Sequence, residues 1–159
     1  MVLHILTILS CTAIAVQDIK DRMVYWVLFP ITGILLGSLY LQHSSLPNFV
    51  LNVSTHLLLV AVIIALLWVY TKFLRKQEFL NASFGFGDVL CLIAFALGFP
   101  TVTFIVLLAS GLCFSVLAFI VLNYFVNAIT VPLAGFICLF LIGILLLSNF
   151  SAYVSLYAF

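Results

Sequence analysis

Apolar residues run through this chain in long blocks, and its longest polar stretches (17–22, 43–48 and 71–78) are only loop-sized. A helix crosses the hydrocarbon core of a bilayer with about 20 apolar residues, within a range of roughly 17–25. On that measure the sequence predicts six helical segments, at about 1–17, 24–42, 49–71, 87–99, 101–125 and 131–149. The fourth is short, and Gly98-Phe99-Pro100-Thr101 turns tightly into the fifth. A helix that short does not cross a bilayer unaided, so its polar start should lie where the membrane is thinned or reached by water. No repeat, heptad pattern or low-complexity linker divides the chain, which reads as one transmembrane domain over 1–159.

Composition agrees with the pattern. Hydrophobic residues make up 67% of the chain and charged residues 6%, where a soluble domain carries about 25% charged residues. The expectation is an all-α integral membrane protein, a bundle of about six transmembrane helices, with the lipid bilayer as its first partner. A net charge of +1 without a basic, aromatic-interleaved patch excludes nucleic acid as a partner. Cys11, Cys91, Cys113 and Cys138 stand singly in apolar runs and form no CxxC pair, so they read as small hydrophobes. His4, His43 and His56 are spread along the chain, and neither a metal nor a cofactor is implied.

Ala13-Ile14-Ala15 imitates a signal-peptidase site and Leu9-Ser10-Cys11 a lipobox, yet no Lys or Arg precedes the first apolar run. Both processing signals require that basic region, so the run reads as a retained first helix. All five basic residues, Lys20, Arg22, Lys72, Arg75 and Lys76, fall in the loops after the first and third segments. Basic loops stay in the cytoplasm. Asp18, after the first helix, and Asp88, opening the fourth, are thereby expected at the same cytoplasmic face. Gly33 and Gly37 form a small-xxx-small pair suited to close packing within the bundle. Tyr25, Trp26, Trp68 and Tyr70 are placed as interfacial anchors near the cytoplasmic helix ends.

Asp88 is the position that asks for chemistry. An acid at the centre of a bilayer costs about 2.5–3.5 kcal/mol on insertion scales, and such residues are functional by default. Two aspartates can hydrolyse a peptide bond when one carboxylate activates water and the other, protonated, polarises the carbonyl. Like charges held close together share one proton and titrate as a pair. Gly85 and Gly87 lack side chains and permit backbone angles closed to other residues, which would let an extended substrate and water reach Asp88. Capping of the fourth helix is the plain alternative role for Asp88. Asp21 is the rival to Asp18, though it lies deeper in the charged loop. Lys20 and Arg22 could contact substrate or lipid head groups, Glu78 reads as a loop charge, and Asn81 and Ser83 as cap or hydration residues.

The stretch Asp18-Ile19-Lys20-Asp21-Arg22-Met23-Val24, followed by Gly85-Phe86-Gly87-Asp88-Val89 and a helix ending in Leu97-Gly98, resembles the type IV prepilin peptidases, membrane aspartyl proteases with a Gly-x-Gly-Asp motif. The resemblance covers most of the chain. It implies that Asp18 and Asp88 are a catalytic pair and that the substrate is a pilin-like precursor cleaved at the cytoplasmic membrane face. The chain reads Val24-Tyr25-Trp26 where many members have Ile-Pro-Asn, and Leu90-Cys91-Leu92 where many carry a Lys. It has nothing corresponding to the cysteine-tetrad domain linked to methylation in larger members. The loop 71–87 is a candidate gate. Two other readings stand beside the peptidase: an inactive peptidase-like scaffold, and a small proton-linked transporter using Asp18 or Asp88 as a relay, with Asn52, His56, Asn123 and Asn127 as the candidate polar lining.

Overall fold

A computed structural model of the chain describes residues 2–75, 85–126, 131–150 and 156–157. All the regular structure in these residues is helical. The helices are α1 (Val2–Asp21), α2 (Leu28–Leu41), α3 (Leu46–Tyr70, extended by a π-helical turn over Thr71–Arg75), α4 (Phe86–Ala96), α5 (Thr101–Val126) and α6 (Leu133–Phe150). Three stretches are long and apolar enough to cross a membrane: Val2–Asp21, Leu46–Phe73 and Thr101–Tyr124. The apolar parts of α2, α4 and α6 are shorter.

Where the helix boundaries differ from expectation, local chemistry accounts for the difference. α1 runs on through the charged residues to Asp21, so Asp18 lies in its last turn and not in a loop after it. Arg22 then ends the helix in the left-handed region, with φ 56°, the conformation that commonly terminates helices. α2 starts later than the apolar run because 22–27 forms the connection, which the Gln17 side chain ties down by accepting the Tyr25 N–H at 3.1 Å. α3 starts earlier, at Leu46, with Pro47 in its first turn. There the missing N–H costs nothing and the fixed φ suits the helix.

α1 packs along α6 and against α2, and α4 lies between α2, α3 and α6. The common core joins Cys11 and Ile14 of α1, Leu92 and Phe95 of α4, Phe104 of α5, and Ile137, Leu141 and Leu145 of α6. Gly33 sets the α2–α4 approach: a Cβ there would stand 3.3 Å from Ala94 Cα and 2.9 Å from Leu97 Cδ1. The small-xxx-small pair thus serves packing within the bundle. Beyond Arg75 the candidate gate lies largely outside the described residues, as do Lys76, Glu78, Asn81 and Ser83.

Candidate active site

The buried stripe of α1 contains Thr7, Ser10, Cys11, Ile14 and Ala15. Steps of three and four residues keep that stripe on one face, and Asp18 continues it toward α6. On α4 the same spacing puts Asp88 one turn before the buried Cys91 and two before the buried Phe95. Each acid is therefore carried at a helix end on the face its helix turns into the bundle. Both are half-buried.

They meet at the start of α6. The Gly135 N–H donates to Asp18 Oδ2 at 2.6 Å, and the Ala134 N–H donates to Asp88 Oδ1 at 2.9 Å. Consecutive amides at one helix N-terminus thus hold both carboxylates, 70 positions apart in the chain. The first N–H groups of a helix have no partner within it and favour negative charge, so α6 supplies what two adjacent acids need. The Asp18 charge acts directly on Asp88, and Arg22 is within electrostatic reach of Asp18. Asp88 also meets the Gly85 N–H, as the third helical residue does in a capping box. Capping is therefore real, and the bond to Ala134 goes beyond it.

Protein-family models, curated proteins and solved structures contain no match to this chain.

The two motif glycines separate. A Cβ on Gly85 would lie 3.0 Å from Asp88 Oδ2, whereas one on Gly87 would meet only the Phe29 ring at 3.5 Å, an ordinary contact. Gly85 is extended, with φ −71° and ψ 138°, and no described glycine has a positive φ. The expectation that these glycines adopt angles closed to other residues is therefore corrected: what Gly85 contributes is missing bulk beside the carboxylate. Gly85 and Phe86 are exposed, so the site opens on that side. Lys20, Asp21 and Arg22 are exposed. Asp21, the last residue of α1, is thereby separated from the half-buried Asp18.

Sequence reading missed Ala134 and Gly135. Nothing in an apolar run announces which backbone amides face an acid, although Pro132 just before Leu133 is a legible helix start. A Cβ on Gly135 would stand 3.1 Å from Asp18 Oδ2 and 3.2 Å from both Asp18 Cβ and Ile19 Cγ1. Gly135 is therefore the residue that lets α1 come close enough for the bond.

The cysteines are also less scattered than the sequence implies. Cys138 of α6 contacts Cys11 of α1 and Cys91 of α4, in the dry interior below the acids. Among the described residues no group of three or more His, Cys, Asp or Glu is arranged to hold a metal ion. Of the polar residues named for a transporter, Asn52 and His56 engage Thr101 and the Ala96 carbonyl, Asn123 is exposed, and Asn127 lies outside the described residues.

Proposed function

We propose that the chain is a multi-pass aspartic endopeptidase of the membrane, with Asp18 and Asp88 as its acid pair. The observation that carries this reading is the seating of both carboxylates on consecutive amides of α6. Two acids so placed can share one proton. A carboxylate offers about four lone-pair sites, so one or two amide bonds each leave capacity for a water between them. The ionised acid takes a proton from that water as its oxygen adds to the peptide carbonyl carbon. The protonated acid donates to the carbonyl oxygen. Collapse of the tetrahedral intermediate breaks the C–N bond, and the leaving nitrogen takes up a proton. Atoms balance with water alone.

The resemblance to prepilin peptidases supplies the substrate class, a pilin-like precursor with a leader followed by an apolar helix. The basic residues at the ends of α1 and α3 favour a cytoplasmic position for the acid end, with the cytoplasmic membrane as the proposed location. The exposed Gly85 beside Asp88 is the side on which an extended segment can approach.

Cleavage of co-expressed pilin-like precursors by wild type and by Asp18→Asn, Asp88→Asn and Asp21→Asn tests the assignment, with expression followed by immunoblot. Processing is expected to disappear in the first two and persist in the third. Processing that survives both Asp18→Asn and Asp88→Asn overturns the pair. A wild type that cleaves no precursor in a broad panel favours the scaffold reading.

A further inference from the structure

At the end of the bundle opposite the acids, α4 stops after three turns in the apolar interior. The final carbonyls of a helix have no partner within it, and in hydrocarbon each unsatisfied backbone group costs several kcal/mol. α4 settles one of these from another helix. His56 of α3, fully buried, places Nδ1 2.9 Å from the Ala96 carbonyl oxygen. A carbonyl only accepts, so Nδ1 carries the proton and donates. Nε2 lies 3.1 Å from the Thr101 hydroxyl, whose single proton can go either to Nε2 or to Asn52. The Phe104 ring stacks on the imidazole at 4.3 Å between centroids. Thr101 in turn reaches Asn52 Oδ1 at 3.3 Å, and Asn52 donates to the Tyr40 hydroxyl of α2. One hydrogen-bonded chain thus ties α2, α3 and α5 to the end of α4.

α4 is rigid and about 16 Å long at 1.5 Å per residue. Asp88 is at one end and Ala96 at the other, so whatever fixes Ala96 along the helix axis fixes Asp88 against the Ala134 amide. We propose that His56 is a positioning residue for the acid pair: by holding the Ala96 carbonyl it sets how far α4 reaches toward α6. This inference rests on the peptidase reading, since its consequence is for catalysis. A misplacement of about 1 Å at a catalytic group can cost on the order of 100-fold in rate.

The test compares His56→Leu, which removes the donor, with His56→Gln, whose amide can still donate to Ala96. His56→Phe is a second donorless variant that keeps a ring against Phe104, should the leucine variant fail to fold. Two readouts are taken on detergent-solubilised full chain. Precursor cleavage should fall at least about tenfold in kcat with KM little changed in the donorless variants, and return to within about threefold of wild type in His56→Gln. Independently of activity, a hydrophobic carbodiimide labels protonated carboxyls, read residue by residue by peptide mass spectrometry. Loss of the Ala134 N–H bond disfavours the ionised form, so labelling of Asp88 should rise while that of Asp18, still held by Gly135 and sharing the proton, stays constant or falls. Unchanged Asp88 labelling in a folded donorless variant overturns the proposal, as does an equal rise at both acids or a His56→Gln variant no better than His56→Leu. If wild type cleaves no precursor, the peptidase reading fails while the labelling still decides the role of His56.

Discussion

At the acid end, α1, α4 and α6 meet through two carboxylates on backbone amides, in a half-buried setting beside the exposed Gly85. At the opposite end, α2, α3, α4 and α5 meet through His56, Thr101, Asn52 and Tyr40, with the imidazole fully shielded. The first set of bonds can be exchanged for water or for a substrate's peptide groups. The second cannot, because His56 is shielded from solvent and a lost partner leaves a buried polar group unsatisfied. On the proposed reading, one end serves chemistry and the other position. The short α4 is the member common to both.

The strongest way to break this comparison is at the acids themselves. Asn keeps the shape of Asp and can still accept a bond from the α6 amides, so Asp18→Asn and Asp88→Asn should leave the fold standing. Processing should nevertheless drop by at least about 1,000-fold, as when a member of a catalytic unit is removed. A thermal transition unchanged within a few degrees would confirm that chemistry and not architecture was lost.

Gly135→Val should follow in size. Its side chain would enter space already filled by Asp18 and Ile19, at 3.1–3.2 Å from a Cβ. α1 must retreat, and overpacking of this kind costs about 1–3 kcal/mol. The Asp18–Gly135 bond lengthens at the same time. Cleavage is expected to fall about 100-fold, more than the loss of folded protein explains. Gly33→Ala makes the matching test away from the acids. Its methyl would press on the Ala94 backbone at 3.3 Å and cost a similar 1–3 kcal/mol or so, read as an earlier thermal transition. Because that methyl presses on α4, which carries Asp88 at its far end, cleavage should fall as well, but by less than in Gly135→Val, whose side chain meets Asp18 itself. Equal rate losses in Gly135→Val and Gly33→Ala would erase the distinction between the two regions.

Much of this was legible in the sequence. Helix count, the shortness of the fourth helix and the internal use of Gly33 follow from apolar run length and small-residue spacing, which physics reads directly. Asp18 and Asp88 stand out because acids in apolar surroundings are costly. Illegible were the partners that belong to the backbone: the Ala134 and Gly135 amides and the Ala96 carbonyl have no side-chain signature. Three cysteines from α1, α4 and α6 meet for a similar reason, because one-dimensional spacing does not report which faces converge. The end of α1 was misplaced since charged residues in its last turn look like a loop, although a helix tolerates them where it leaves the membrane.

The smallest expected effect is the most discriminating one for the Gly-x-Gly-Asp motif. Gly87 sits inside the first turn of α4, where alanine is favoured over glycine by about 1 kcal/mol. Among the described residues its added methyl would meet the Phe29 ring at 3.5 Å, an ordinary contact, so packing against them does not require a bare backbone there. Gly87→Ala should therefore fold as well as wild type or slightly better, with a thermal transition equal or higher. Gly85→Ala differs, because its methyl would crowd Asp88 Oδ2 at 3.0 Å and should lower cleavage by disturbing the acid. If Gly87→Ala also keeps full activity, the second glycine has no role in catalysis and the motif reduces to Gly85 and Asp88. If instead it folds normally and cleaves poorly, the loss does not come from packing against the described residues. It then points to a substrate segment that approaches the α4 backbone at Gly87, which would place that segment on the open side of the acid pair.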